Sequence, residues 1–423
     1  MSDLLKQRVF LPLFLTQFFG AFNDNAFKLA MLTLISYHLS STQAESEHFQ
    51  AIASALFTLP LFLFSAIAGE LADKFDKTIL TRGIKTAEII LMALGSIALI
   101  KGSIILMLIT LTGMGMHSTF FGPIKYAILP CHLSRTHLLP ATGLIEASTF
   151  IAILLGTVLG TLAIGNTRSH VLYAVILINS AAIIGFITSL FMPLSPPEPA
   201  QLPVNWHIGR STAAILKIVL PNPKIFPVIF AISWFWLVGA VVLTKLPDYT
   251  HYVLRAETDI FAFFLGLFSI GIALGALTIS RLLGGKITLQ YVPAAMWGLS
   301  LFALDLYLAT PSVAVSTNTP LLSFSTYFSS FANCRIAIDF FLFSMCTGLF
   351  IVPLYTYLQI TGNNNQRARI IAANNILNAL AMVIGSILVM LMIAYHFTIA
   401  AVFLVLAIAN ALIAWFLKQL LPQ

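Results

Sequence analysis

Apolar runs long enough to cross a bilayer recur along the chain, separated by short stretches rich in Lys, Arg, Asp and Pro. They cover roughly 9–38, 50–72, 78–100, 103–129, 140–165, 169–192, 223–250, 259–283, 286–308, 335–360, 367–393 and 396–419. At about 1.5 Å of rise per residue, each reaches across about 30 Å of hydrocarbon. None shows the alternating pattern of a membrane β-barrel, and unpaired backbone groups are too costly in lipid for open strands. The pattern therefore predicts an all-α membrane protein with twelve transmembrane helices.

Composition agrees, because 59% hydrophobic and 9% charged residues lie far from a soluble balance. The net charge of +7 raises the question of nucleic acid. No basic face interleaved with aromatics occurs in a soluble segment, so nucleic acid is not expected as a partner. The positive-inside rule accounts for the charge. With both termini cytoplasmic, 15 cations fall inside, among them Lys74, Lys77, Arg82 and Lys85. Only Lys101, Arg168, Arg255 and Arg335 fall outside, and Lys28, Lys125 and Lys245 lie within spans. Lys6 and Arg8 before an apolar stretch imitate a secretion signal, but no small-residue cleavage site follows, so the stretch reads as a retained first helix. Cys131, Cys334 and Cys346 have no paired spacing and read as packing residues.

The most polar long connection is PLSPPEPAQLPVN, residues 193–205, whose five prolines forbid a continuing helix. It divides six runs from six: residues 1–192, a cytoplasmic linker 193–222, and 223–423. The halves repeat. GPIKYAIL and GLIEASTFIAILLG in the first correspond to VPLYTYLQ and ANNILNALAMVIG in the second, pairing Pro123 with Pro353, Glu146 with Asn375 and Gly156 with Gly385. Two six-helix bundles joined by a cytoplasmic strap resemble the major facilitator fold, which implies a binding site between the halves near the bilayer midplane. GELADKFDKTIL, residues 69–80, resembles that superfamily's loop signature. Gly69, Asp73, Lys74 and Lys77 fit a conformational latch, while the usual central glycine is Asp76 here. Segment 310–334 is too polar to span with ease and is expected at the outer membrane surface.

Ionisable groups inside spans must pair or face water, since each costs about 2.5–3.5 kcal/mol at mid-helix. Gln17, Ala21, Asp24 and Lys28 share one helical stripe, so Asp24 and Lys28 either pair or both point into a cavity. Asn23 and Asn25 flank them. Lys125 and Glu146 lie at similar depths on successive helices, which allows a buried ion pair. Gly156 and Gly160 allow close helix packing. In the second half, Lys245 and Asp248 adjoin Pro247, and Gln359, Asn374, Asn375 and Asn378 stand where the first half has charges. Asp305 and Glu88 are each alone in an apolar run. The sequence has no phosphate-binding P-loop, no G-x-S-x-G, no metal-spaced histidine cluster and no H-x-x-x-x-D dyad, so neither catalysis nor a cofactor is expected.

AFNDNAFK (21–28), GPIKYAILP (122–130), GLIEASTFIAILLG (143–156) and VPLYTYLQ (352–359) together resemble the bacterial lysophospholipid transporter family and the membrane portion of transporter–acyltransferase fusions. The resemblance implies movement of lysophosphatidylethanolamine-like lipids from the outer to the inner leaflet of the bacterial inner membrane. A separate lysophospholipid acyltransferase is then the expected partner, beside membrane lipids and the substrate itself. It further implies headgroup contacts at Asp24 and Lys125, with Glu146 on a neighbouring motif position; the intramembrane polar residues Asn25, Lys28, Lys245 and Asn375 complete the expected substrate site. Lys245 departs from the family's arginine, so bidentate phosphate binding there is lost. The rival readings are an exporter of amphipathic drugs, a carrier of a small polar solute, and a non-transporting scaffold for the acyltransferase.

Overall fold

A computed structural model describes residues 2–164, 171–197, 203–310, 321–361 and 364–421. Among the described residues, twelve long helices fall on the twelve predicted runs. The first six are α1 (Leu11–Leu34), α2 (Gln43–Lys74), α3 (Lys77–Lys101), α4 (Ile104–Ala127), α5 (Arg135–Ile164) and α6 (Val171–Leu190). The others are α7 (Phe226–Asp248), α8 (Thr258–Leu282), α9 (Val292–Ala309), α10 (Phe331–Ile360), α11 (Arg367–Ala394) and α12 (Ile399–Leu420). Eleven are long and apolar enough to cross a membrane. The exception is α1, whose hydropathy is lowered by Gln17, Asn23, Asp24, Asn25 and Lys28. Both α1 and α7 continue into a π-helical turn, Ile35–Leu39 and Tyr249–Val253.

Helix boundaries have local causes. Asp76 caps α3, its Oδ1 accepting from Thr78 N at 2.8 Å and Ile79 N at 3.0 Å. With φ at −59° the turn needs no glycine there, so aspartate replaces the superfamily's glycine without strain. At the other end of α3, Gly102 takes a left-handed φ of 65° and closes the helix.

The chain divides into two compact units, Met1–Asn222 with Leu358–Ile376, and Pro223–Tyr357 with Leu377–Gln423. In the first, α1 packs on α5, α2 on α4, and α3 on α6. Gly156 and Gly160 of α5 admit the backbone of Phe22 and Ala26 on α1, as the small-residue spacing predicts. The second unit repeats these pairings. Gly385 of α11 packs on Leu237 and Val241 of α7, Gly271 and Gly275 of α8 pack on α10, and α9 packs on α12. The repeat extends to one hydrogen bond: Asn179 Nδ2 donates to Ser96 Oγ at 2.6 Å between α6 and α3, and Asn410 Nδ2 to Ser300 Oγ at 2.8 Å between α12 and α9.

The connection after α6 is tied down where it is described. Ser195 N donates to Asp76 Oδ2 at 2.8 Å and Asn205 N to Glu70 Oε2 at 2.6 Å. A further helix, Ile208–Val219, follows, its buried Ser211, Ile215 and Val219 forming one face against α2. The sequence reading treated this part only as linker. Of the polar segment 310–334, residues 311–320 lie outside the described residues; the remainder includes a short helix, Phe324–Phe328, and a bridge between Leu322 and Ala256.

Candidate functional site

Neighbouring residues on a helix point about 100° apart, so the Asn-Asp-Asn run of α1 serves two faces. Asn23 is fully buried and faces Glu88 on α3. Asp24, Asn25 and Lys28 lie on a partly exposed stripe with Ala21. Gln17, one turn earlier, is buried: its side chain donates to Thr149 Oγ1 and accepts from Ser148 Oγ at 3.0 Å, which ties α1 to α5.

Behind Asn23 stands a charged cluster the sequence reading did not assemble. Lys85 Nζ lies 2.6 Å from Glu88 Oε2, and both side chains are completely buried. Asn23 Nδ2 donates to Glu88 Oε1 at 2.8 Å. His117 on α4 brings Nε2 to 3.1 Å from Glu88 Oε2 and Nδ1 to 3.9 Å from Asp24 Oδ1. Its ring stacks on Phe121 with centroids 6.4 Å apart. Gly20 makes the room, since a Cβ there would lie 2.6 Å from Lys85 Nζ. Two expectations are corrected here. Lys85 is not a loop cation: it lies two turns inside α3, about 12 Å along its axis. Glu88 is not alone: it accepts from α1 and α3 together, which offsets the desolvation of a charge in the bundle interior. The opposite charges of Lys85 and Glu88, three residues apart in an apolar run, were the available signal.

The expected ion pairs among the site residues do not form. Asp24 accepts from Ser118 Oγ on α4 instead of pairing with Lys28. The Lys28 ammonium sits over the Phe57 ring, 5.6 Å from its centroid. Glu146, buried on α5, accepts from the Tyr126 hydroxyl. Lys125 turns its ammonium over the Tyr126 ring at 4.6 Å. The helix geometry explains the exchange: Tyr126 faces α5, and Lys125, one residue earlier, points away from it. Lys125 stays within electrostatic reach of both Glu146 and Asp24. Asn25 Nδ2 is spent on Ala21 O at 2.8 Å.

Asn375 belongs to the same unit and lies beside α4, its Nδ2 3.0 Å from where a Cβ on Gly122 would be. Nearby, Gln359 Nε2 donates to Thr142 Oγ1 at 3.0 Å. Lys245 lies in the second unit, where it pairs with Asp248 at 3.0 Å, three residues on. Asp305, expected to be alone, receives the Arg335 guanidinium.

The loop signature divides by residue. Asp73 Oδ1 accepts from Ala368 N at 2.9 Å and Oδ2 from Arg369 N at 3.1 Å, capping α11. Gly69 keeps the contact close, since a Cβ would lie 2.6 Å from that of Ala372. Lys77 is buried within electrostatic reach of Asp73, while Lys74 lies over Phe75 at 5.6 Å.

Among curated proteins, the chain is 27% identical over 288 residues to the lysophospholipid transporter LplT of Citrobacter koseri, covering 66% of this chain and 67% of that one. To the protein of the same name in Serratia proteamaculans it is 25% identical over 391 residues, covering 90% and 87%. Among solved structures, the human organic anion transporter MFSD10 superposes with a TM-score of 0.73 at 15% identity, over 97% of this chain and 99% of that one. FucP in its outward conformation gives a TM-score of 0.72 at 13% identity, over 99% and 100%. These structures share the fold. The sequence profile of the Major Facilitator Superfamily matches residues 13–386, and the chain is a multi-pass membrane protein that belongs to that superfamily of transporters.

Proposed function

We propose that the protein carries lysophosphatidylethanolamine-like lipids from the outer to the inner leaflet of the bacterial inner membrane by alternating access, with both termini cytoplasmic. One observation carries the reading. Asp24 on α1 and Lys125 on α4 are half-buried groups of opposite charge in electrostatic reach of one another; among the described residues Lys125 forms no direct ion pair and, of ionisable groups, Asp24 meets only the His117 ring, at 3.9 Å. A zwitterionic headgroup complements that arrangement, with its ammonium on Asp24 and its phosphate on Lys125. The resemblance to proteins named lysophospholipid transporter, across 90% of the chain in the longer match, supports the same substrate class.

In this mechanism Asn25, Lys28, Glu146 and Asn375 line the polar path. Gly69 and Asp73 act as the conformational latch, with Lys74 and Lys77 supporting it. The lipid delivered to the inner leaflet is the substrate of a separate acyltransferase that restores the second chain. Thermal stabilisation of the purified protein across a panel of lysolipids, amphipathic drugs and sugars tests the substrate class. Lysophosphatidylethanolamine is expected to raise the melting temperature and sugars to leave it unchanged; stabilisation by sugars or drugs alone would sink the reading.

A further inference from the structure

A cavity of about 520 Å³ opens at the end of the first unit where the linker leaves α6, a volume within the roughly 300–1,000 Å³ range of small-ligand sites. Three parts of the chain wall it: the α4–α5 connection through Cys131, His132 and Arg135, the linker through Leu194 and Ser195, and the start of α11 through Arg367. Its described lining holds two guanidinium groups and no carboxylate. The linker wall is fixed in place. Arg82 donates to the carbonyls of Leu190 at 3.0 Å and Met192 at 3.1 Å, and Thr78 Oγ1 to that of Pro193 at 2.6 Å. Ser195 is 1% exposed, with its Oγ 2.5 Å from His132 Nε2. The acids at this end are met elsewhere: Asp76 by the amides of Thr78, Ile79 and Ser195, and Asp73 by those of Ala368 and Arg369. Other cations here are also engaged, since Arg369 donates to Pro203 O at 2.9 Å and Lys77 is buried within electrostatic reach of Asp73. Arg135 is exposed and opens α5, which adds the positive end of a helix dipole to the cavity.

We propose that this cavity binds a phosphate group without a neighbouring ammonium, held by Arg135 and Arg367. A guanidinium offers paired N–H donors that match phosphate oxygens two at a time. With no carboxylate in the described lining, an ammonium finds no counter-charge there. Asp24 and Lys125 suit a zwitterion; this separate cavity suits a net anion. With the linker cytoplasmic, as in the topology proposed above, the phosphate belongs to an anionic lipid of the inner leaflet, such as phosphatidylglycerol, or to a soluble phosphate ester. Either ligand ties the starts of α5 and α11 to the linker.

Cys131 lines the cavity and is exposed, so its alkylation reports occupancy. The test follows maleimide labelling of Cys131 in the purified protein, resolved from Cys334 and Cys346 by peptide mass spectrometry, with phosphatidylglycerol, phosphatidylcholine or glycerol phosphate added in detergent. Phosphatidylglycerol or glycerol phosphate is expected to slow the labelling, and phosphatidylcholine, whose phosphate carries an ammonium, to leave it unchanged. Arg135→Gln and Arg367→Gln are each expected to weaken the protecting ligand about ten-fold or more, the loss of a charged hydrogen bond. Arg135→Lys should lose less, because the charge survives without the fork. Arg210→Gln, which removes an exposed cation from the helix Ile208–Val219, should leave protection unchanged. Unaltered melting temperatures without ligand verify that the variants fold. Protection by the lipid alone assigns a membrane headgroup and protection by glycerol phosphate a soluble ester, and each upholds the site. Equal protection by phosphatidylcholine, no loss in Arg135→Gln, or an equal loss in Arg210→Gln overturns it. Absence of protection by both phosphate compounds overturns it as well, and leaves lysolipid binding at Asp24 and Lys125 standing.

Discussion

Asn23 donates to Glu88 at 2.8 Å, whereas Asp24, its neighbour in sequence, turns to the Ser118 hydroxyl on another helix. Two consecutive residues of α1 thus serve different ends. One closes a buried network that joins α1 to α3, and the other leaves a carboxylate on a partly exposed stripe.

That network makes a stability prediction. Glu88→Gln leaves the Lys85 ammonium buried without its counter-charge, and breaking a buried pair from one side costs about 3–5 kcal/mol. Replacing both groups, Lys85→Met with Glu88→Leu, is expected to cost clearly less than the single change. Thermal unfolding in detergent measures both; a double variant as unstable as the sum of its parts would show that the pair acts separately.

The two equivalent helix contacts are not equally tolerant. Gly160 faces the backbone of Ala26, which cannot move aside, whereas Gly385 faces the side chains of Leu237 and Val241. Gly160→Leu is expected to lower stability more than Gly385→Leu, by at least about 1–3 kcal/mol as overpacking does. Comparing the two melting temperatures checks this, and equal losses would count against it.

The cap from Asp73 is expected to be worth about 1 kcal/mol. Asp73→Ala should speed hydrogen exchange at Ala368 and Arg369 on the order of five-fold, with Asp73→Asn intermediate because one acceptor oxygen survives. For Asp76 the order is distinctive: Asp76→Ala should cost about 1 kcal/mol and Asp76→Gly only a few tenths, since glycine is tolerated as an N-cap. Unchanged exchange in Asp73→Ala would exclude the cap as the determinant of that helix end.

Most of the architecture is legible in the sequence because membrane helices announce themselves through length and hydropathy, and because Pro123 with Pro353 and Gly156 with Gly385 expose the repeat. The site is legible in part. Helical spacing places Asp24, Asn25 and Lys28 on one stripe, but it does not say which neighbour each meets. Lys125 with Glu146 fails as a pair because a rotation of one residue brings Tyr126 between them. Lys85 is misread for a different reason: a lysine near a span's end snorkels as readily as it buries, and only the three-dimensional meeting of α1, α3 and α4 decides. His117 carries no sequence signal beyond standing in an apolar run.

The central claim is that Asp24 and Lys125 together hold a lysolipid headgroup. It is tested most directly by leaflet-resolved transport of labelled lysophosphatidylethanolamine in proteoliposomes. Asp24→Asn and Lys125→Ala, verified as correctly inserted, are each expected to slow transport about ten-fold or more, the size of a lost charged hydrogen bond. Transport by either variant at the rate of the unaltered protein would contradict the account.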